Sequence, residues 1–177
     1  MKPLSLYQHV MGADFDRLPA PLQAFHTLAG AHVLSGWVEV GAPESWPAKV
    51  LAWCIGAPQV TQKGPIRFEL QAEGRSEVWT RHFPAKTMRS RLTLVDGRIV
   101  ERLGAARLGF ELSGTPQKLE MQLVRLHFLG VPCPRWLMPA IVAEETASEG
   151  RLHFEIRASL PLVGVVTRYR GHLEVPG

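Results

Sequence analysis

Only two cysteines occur in the 177 residues, Cys54 and Cys133, far apart and in no CxxC arrangement. Their scarcity excludes a disulfide framework and a thiolate zinc site, and it fits a reducing compartment, the cytoplasm. Long apolar runs are missing as well. No stretch approaches the roughly 20 residues needed to span a bilayer. The opening MKPLSLYQHVMGADFDRL interrupts its apolar residues with Tyr7, Gln8, His9 and two aspartates, so no signal-peptide core is expected. Blocks of like charge are absent: 20 Lys and Arg face 16 Asp and Glu, for a formal net charge of +4. Scattered charge of this kind gives no concentrated basic face, and no nucleic-acid partner is expected. The seven histidines contain no HxH or HExxH pair, so no metal is expected. Neither GxGxxG after a strand nor GxxxxGK[ST] is present, and no cofactor is expected; a GxSxG elbow is missing too.

What the chain does contain is alternation. Its first third carries apolar residues at spacings of three and four (Leu6, Val10, Leu18, Leu22, Phe25, Leu28), which predicts two short helices over about 4–11 and 19–28. AHVLSGWVEV then alternates as a strand with Gly36 in its middle. PESWPAKVLAWCIGAP has the start and stop of a helix, with Val50, Leu51, Cys54 and Ile55 predicted on one face. Everything after Gln59 reads as strand, punctuated by turns, of which Asp96-Gly97 is the strongest hairpin signal.

The predicted fold is mainly β (α+β), a single domain over 1–177. About ten antiparallel strands would form an up-and-down barrel or a strongly curved sheet, because a twisted sheet of that size curls or closes to remove its edges. Two short N-terminal helices and one helix between the first and second strands complete it. A two-sheet sandwich with a solid core is the alternative. A barrel of this strand number leaves more interior than side chains easily fill.

Several polar residues are predicted to face that interior. In SEVWTRHF, Arg81 shares a face with Trp79 and Phe83, and a buried guanidinium needs a carboxylate, an anionic ligand or water. Glu101, beside Ile99 and Leu103, and Glu144, beside Val142, are the candidate partners. Ser90 lies between Met88 and Leu92 on the inward face of its strand. Tyr169 shares a face with Val165 and Thr167, and His26, after Phe25, is placed to plug a barrel end.

The phrases LYQHVMGADFDRLPAPLQAFH, RFELQAEGRSEVWTRHF, VPCPRWLMP and GRLHFEIRASLPLVGVVTRYRGHLE resemble an uncharacterised bacterial family, the domain of unknown function 4166. The resemblance spans nearly the whole chain. It implies a domain that occurs alone or after a saccharopine-dehydrogenase-like Rossmann half, and so an accessory role with an oxidoreductase partner. This chain has no such half, and no cofactor is carried over. His26, Trp79, Arg81, Phe83, Ser90, Glu101 and Tyr169 match the family's recurring polar and aromatic positions, without a role to transfer. Two functions follow as expectations. One is a barrel binding an apolar or anionic small molecule, lipid-like, with Arg81 at its polar end. The other is an acid–base enzyme of isomerase or hydrolase type using Glu101, Glu144, His26 or Tyr169.

Overall fold

A computed structural model describes residues 4–176. Helix α1 (Leu6–Met11) is followed by a 3-10 turn (Gly12–Arg17) and helix α2 (Ala20–His26). Strand β1 (Gly30–Gly41) leads through α3 (Trp46–Cys54) into β2 (Gln62–Glu73), β3 (Ser76–Phe83), β4 (Lys86–Val95), β5 (Arg98–Leu103), β6 (Ala106–Gly114) and β7 (Lys118–Phe128). A two-residue β8 (Val131–Pro132) and a second 3-10 turn (Arg135–Leu137) precede β9 (Ala140–Ser148), β10 (Arg151–Leu160) and β11 (Gly164–Leu173).

Every strand pair is antiparallel, in the order β6-β5-β4-β3-β2-β1-β11-β10-β9-β7, and β6 also pairs with β7. That last ladder closes the sheet into a ten-stranded barrel with β8 appended to β7, so the sandwich alternative falls away. Closure leaves no long unpaired edge.

Two local features make the circuit possible. At the β4–β5 turn both Asp96 (φ 50°) and Gly97 (φ 74°) are left-handed, the backbone of a type I′ hairpin whose twist matches the flanking strands. At the seam where β1 meets β11, a Cβ on Gly36 would lie 1.9 Å from the His172 carbonyl oxygen, and one on Gly171 2.0 Å from that of Trp37. The two backbones approach as closely as they do because neither residue carries a side chain.

Along each strand alternate residues point inward. Leu70, Leu92, Ile99, Leu119 and Leu152 are almost completely buried, each removing enough apolar surface from water to contribute about 1.5–3 kcal/mol. Helix α1 starts with a reciprocal cap: Ser5 Oγ accepts from Gln8 N at 3.3 Å, and Ser5 N donates to Gln8 Oε1 at 2.9 Å. With α2 it packs Leu6, Tyr7, Leu22, Phe25 and His26 into the barrel, against β4, β5, β6, β9 and β10. The predicted N-terminal helices are thus present, each slightly shorter than the periodicity indicated.

Antiparallel order puts the β1–β2, β3–β4, β5–β6, β7–β9 and β10–β11 connections at one end of the barrel. Helix α3 lies across that end. Ser45 caps it, accepting from Ala48 N at 3.2 Å, and donates its hydroxyl to Val163 O in the β10–β11 turn at 2.6 Å. At its other end Cys54 O accepts from Ala105 N in the β5–β6 turn at 3.0 Å. The buried face of α3 is Ala48 and Ala52, with Leu51 and Ile55 packed beside them. Val50, expected on that face, is 42% exposed instead. The small alanines allow the helix to sit close on the strand ends, and this rotates Val50 outward.

Candidate ligand cavity

The inward alternation of β3 comprises Glu77, Trp79, Arg81 and Phe83, all buried. Arg81 reaches across β4. Its guanidinium donates to Ser90 Oγ at 3.1 Å and meets Glu101 on β5 at 3.6 Å. It lies over the Trp79 ring, with the central carbon 5.0 Å from the centroid, and near Phe68 at 5.9 Å. The side chains of Arg81 and Glu101 are only 8% and 13% exposed, so the pair is held where water screens it little. The charge that raised a question in the sequence is answered by a carboxylate two strands away, Glu101 and not Glu144.

Glu144 was read one residue out of phase. Inward on β9 are Ala143 and Glu145, while Glu144 binds Lys118 Nζ at 3.2 Å on the outside and Val142 is 42% exposed. One step of register exchanges the faces of a strand, and an outward valine concealed that step. Glu145 receives the Nε2 hydrogen bond of His26 at 2.6 Å. Tyr7 covers this pair, its ring centroid 3.7 Å from that of His26. Glu77, also unforeseen, accepts from Trp79 Nε1 at 2.8 Å. The alternation that identified Arg81 extends back to Glu77, so its signal was present.

These groups make the interior acidic: three carboxylates (Glu77, Glu101, Glu145) share it with one guanidinium and the His26 imidazole. Burial pushes the Glu77 carboxyl above its ordinary value, with His26 and the Trp79 hydrogen bond opposing the shift. Burial also raises the Tyr7 phenol, with Glu145, Glu77 and Glu101 adding to it. The Tyr169 phenol moves up for the same first reason, partly offset by Arg81.

Beside this network lies a cavity of about 130 Å³. Trp79, Arg81, Glu101, Glu145, Thr167 and Tyr169 are on its wall. The rest of the lining is largely apolar, continuing into a cluster around Leu108 and Phe110 on β6. Thr167 Oγ1 is buried without a hydrogen-bond partner among the described residues.

Of the predicted site residues, Trp79, Arg81, Glu101 and Tyr169 therefore reach the cavity, and Glu144 borders it while its carboxylate is held by Lys118. Ser90 stands behind Arg81. Phe83 packs edge-on against Tyr169, 5.3 Å between centroids. His26 plugs the barrel and touches the cavity only through Glu145. Among the described residues no group of three or more His, Cys, Asp or Glu is placed to hold a metal, and no helix is long and apolar enough to cross a membrane.

The family model described as Domain of unknown function (DUF4166) matches residues 18–173. Among solved structures, the crystal structure of Rv2717c from M. tuberculosis is similar at 11% identity and a TM-score of 0.47, covering 90% of this chain and 99% of that one. Among curated proteins nothing matches.

Proposed function

The chain belongs to the family described as Domain of unknown function (DUF4166), a description that names no reaction, and from its barrel geometry we propose that it binds a small, uncharged, apolar molecule. The observation that carries this reading is the apolar cavity of about 130 Å³ with an unpartnered Thr167 hydroxyl on its wall. An apolar cavity of about 150 Å³ suffices for benzene, whereas drug-sized ligands take roughly 300–1,000 Å³. The occupant is accordingly the size of an aromatic ring or a short branched chain, bearing one acceptor or hydroxyl for Thr167. A long acyl chain exceeds the space. Charge narrows the choice further. Arg81 is committed to Glu101 and Ser90, and among the described residues the wall offers no second cation to receive an anion. An anionic headgroup at Arg81 would have to displace Glu101.

Calorimetric titration with benzene, 1-hexanol and hexanoate tests this. Benzene and hexanol are expected to bind, hexanoate to bind more weakly, and Ala143→Phe, which fills the cavity, to abolish the heats. Heats absent for all three, or unchanged in Ala143→Phe, would reject the reading.

A second reading rests on Glu145. It lines the same cavity and accepts from His26, the arrangement by which a carboxylate moves a proton on a bound molecule. Retained affinity with lost turnover in Glu145→Gln would support it. Turnover unaffected by that change would remove it.

A further inference from the structure

The end of the barrel crossed by α3 exposes its apolar residues in an unusual way. Along α3, Trp46, Val50 and Trp53 follow at i, i+4 and i+7, a single helical stripe, and all three face away from the core at 77%, 42% and 72% exposure. Trp136, on the 3-10 turn of the β7–β9 connection, is 78% exposed. Leu129 in the same connection is 73% exposed, and Leu162 in the β10–β11 turn fully so. Three separate connections thus contribute large apolar side chains to one end. Isolated exposed hydrophobics are ordinary, but several converging on one face mark an interaction surface.

Charge at this end is one-sided. Within its five connections and the two strand residues on either side stand six bases, Lys49, Lys63, Lys86, Arg102, Arg107 and Arg135, all exposed, against one acid, Glu44. Glu44 is already engaged by Val165 N at 2.9 Å. None of the six bases has a carboxylate within ion-pair distance among the described residues. At the opposite end Arg17, Arg98, Lys118 and Arg151 each have one, and Arg75 alone among that end's bases has none among the described residues.

We infer that this end of the barrel docks on an anionic lipid bilayer, with the α3 stripe and Trp136 in the headgroup layer and the unpaired bases over it. Tryptophan suits that layer because its ring is apolar and its indole N–H still finds a partner there. An exposed tryptophan face with lysine and arginine around it suits such an interface, where binding combines buried apolar area with attraction to anionic headgroups. An acidic protein surface would satisfy the bases but leave an indole stripe with no apolar layer to enter, which favours the bilayer. Ile55, just beyond the end of α3, lines the cavity, so the docking end is also the end that covers the interior. Docking itself does not depend on that interior being occupied.

The test uses the full chain and sedimentation with phosphatidylcholine vesicles, with and without phosphatidylglycerol. Binding is expected only when phosphatidylglycerol is present, to weaken as salt rises, and to be accompanied by a blue shift of tryptophan emission. Trp46→Ser/Trp53→Ser is expected to weaken binding more than about tenfold, and Lys49→Glu/Arg135→Glu to do the same, both with unchanged thermal unfolding because these side chains are exposed. Failure to bind either vesicle overturns the inference. So does equal binding by the tryptophan variant, or binding indifferent to phosphatidylglycerol. A concentration-dependent dimer that disappears in the tryptophan variant, without vesicle binding, would assign the face to a second copy of the chain.

Discussion

Replacing Arg81 with methionine removes the guanidinium while keeping most of its volume against Trp79 and Phe68. The partner left behind is Glu101, 13% exposed and 3.6 Å from the lost charge. At that separation, with an effective dielectric of about 20, the attraction is worth about 5 kcal/mol. Stranding one member of a buried pair typically costs about 3–5 kcal/mol, and the Ser90 hydrogen bond is lost besides. Arg81→Met is therefore expected to lose about 3–5 kcal/mol in urea unfolding followed by circular dichroism, read as a lower midpoint at unchanged slope. Removing Glu101 as well leaves no stranded charge. Arg81→Met/Glu101→Leu is expected within about 2 kcal/mol of wild type, since apolar replacement of a buried ion pair is often neutral or better. A single variant within about 0.5 kcal/mol of wild type, or strictly additive single and double changes, would refute the reasoning.

Gly36→Ala places a methyl 1.9 Å from the His172 carbonyl oxygen, which is backbone and cannot swing away. A loss of more than about 3 kcal/mol, or failure to fold, is expected, and ordinary stability in thermal unfolding would mean the seam is looser than described. Glu77 has a raised carboxyl value because it is buried. Its contribution to stability is thus full below the ordinary carboxylate value of 4.5 and is lost as pH rises through the raised one. Glu77→Gln keeps an acceptor for Trp79 and abolishes that loss, so the variant is expected to gain on wild type as pH rises above 4.5 in denaturant titrations at a series of pH values. A difference that does not vary with pH would contradict it.

Much of this architecture was legible in the sequence because its carriers are local. Alternation along β3 and β4 placed Trp79, Arg81 and Ser90 inward, and Asp96-Gly97 fixed a hairpin. Burying an arginine among aromatics demanded a carboxylate, and Glu101 was one of two on offer. What failed depended on distant partners. The phase of β9 is set by its neighbours β10 and β7, so Val142 and Glu144 looked inward when Ala143 and Glu145 are. The rotation of α3 is set by where the strand ends admit only alanine, so Val50 seemed buried. The pairing of His26 with Glu145 joins residues 119 apart in sequence, and no periodicity announces it.

The central claim is that ten strands close around a space their own side chains leave open. Xenon enters apolar cavities and can be followed at the methyl groups of labelled methionines. Met88 and Met121 line the cavity, while Met11 and Met138 do not. Under increasing xenon pressure the Met88 and Met121 methyl resonances are expected to shift and saturate, with those of Met11 and Met138 unmoved. If Met88 and Met121 stay as still as the others, the interior is filled and the binding account is wrong.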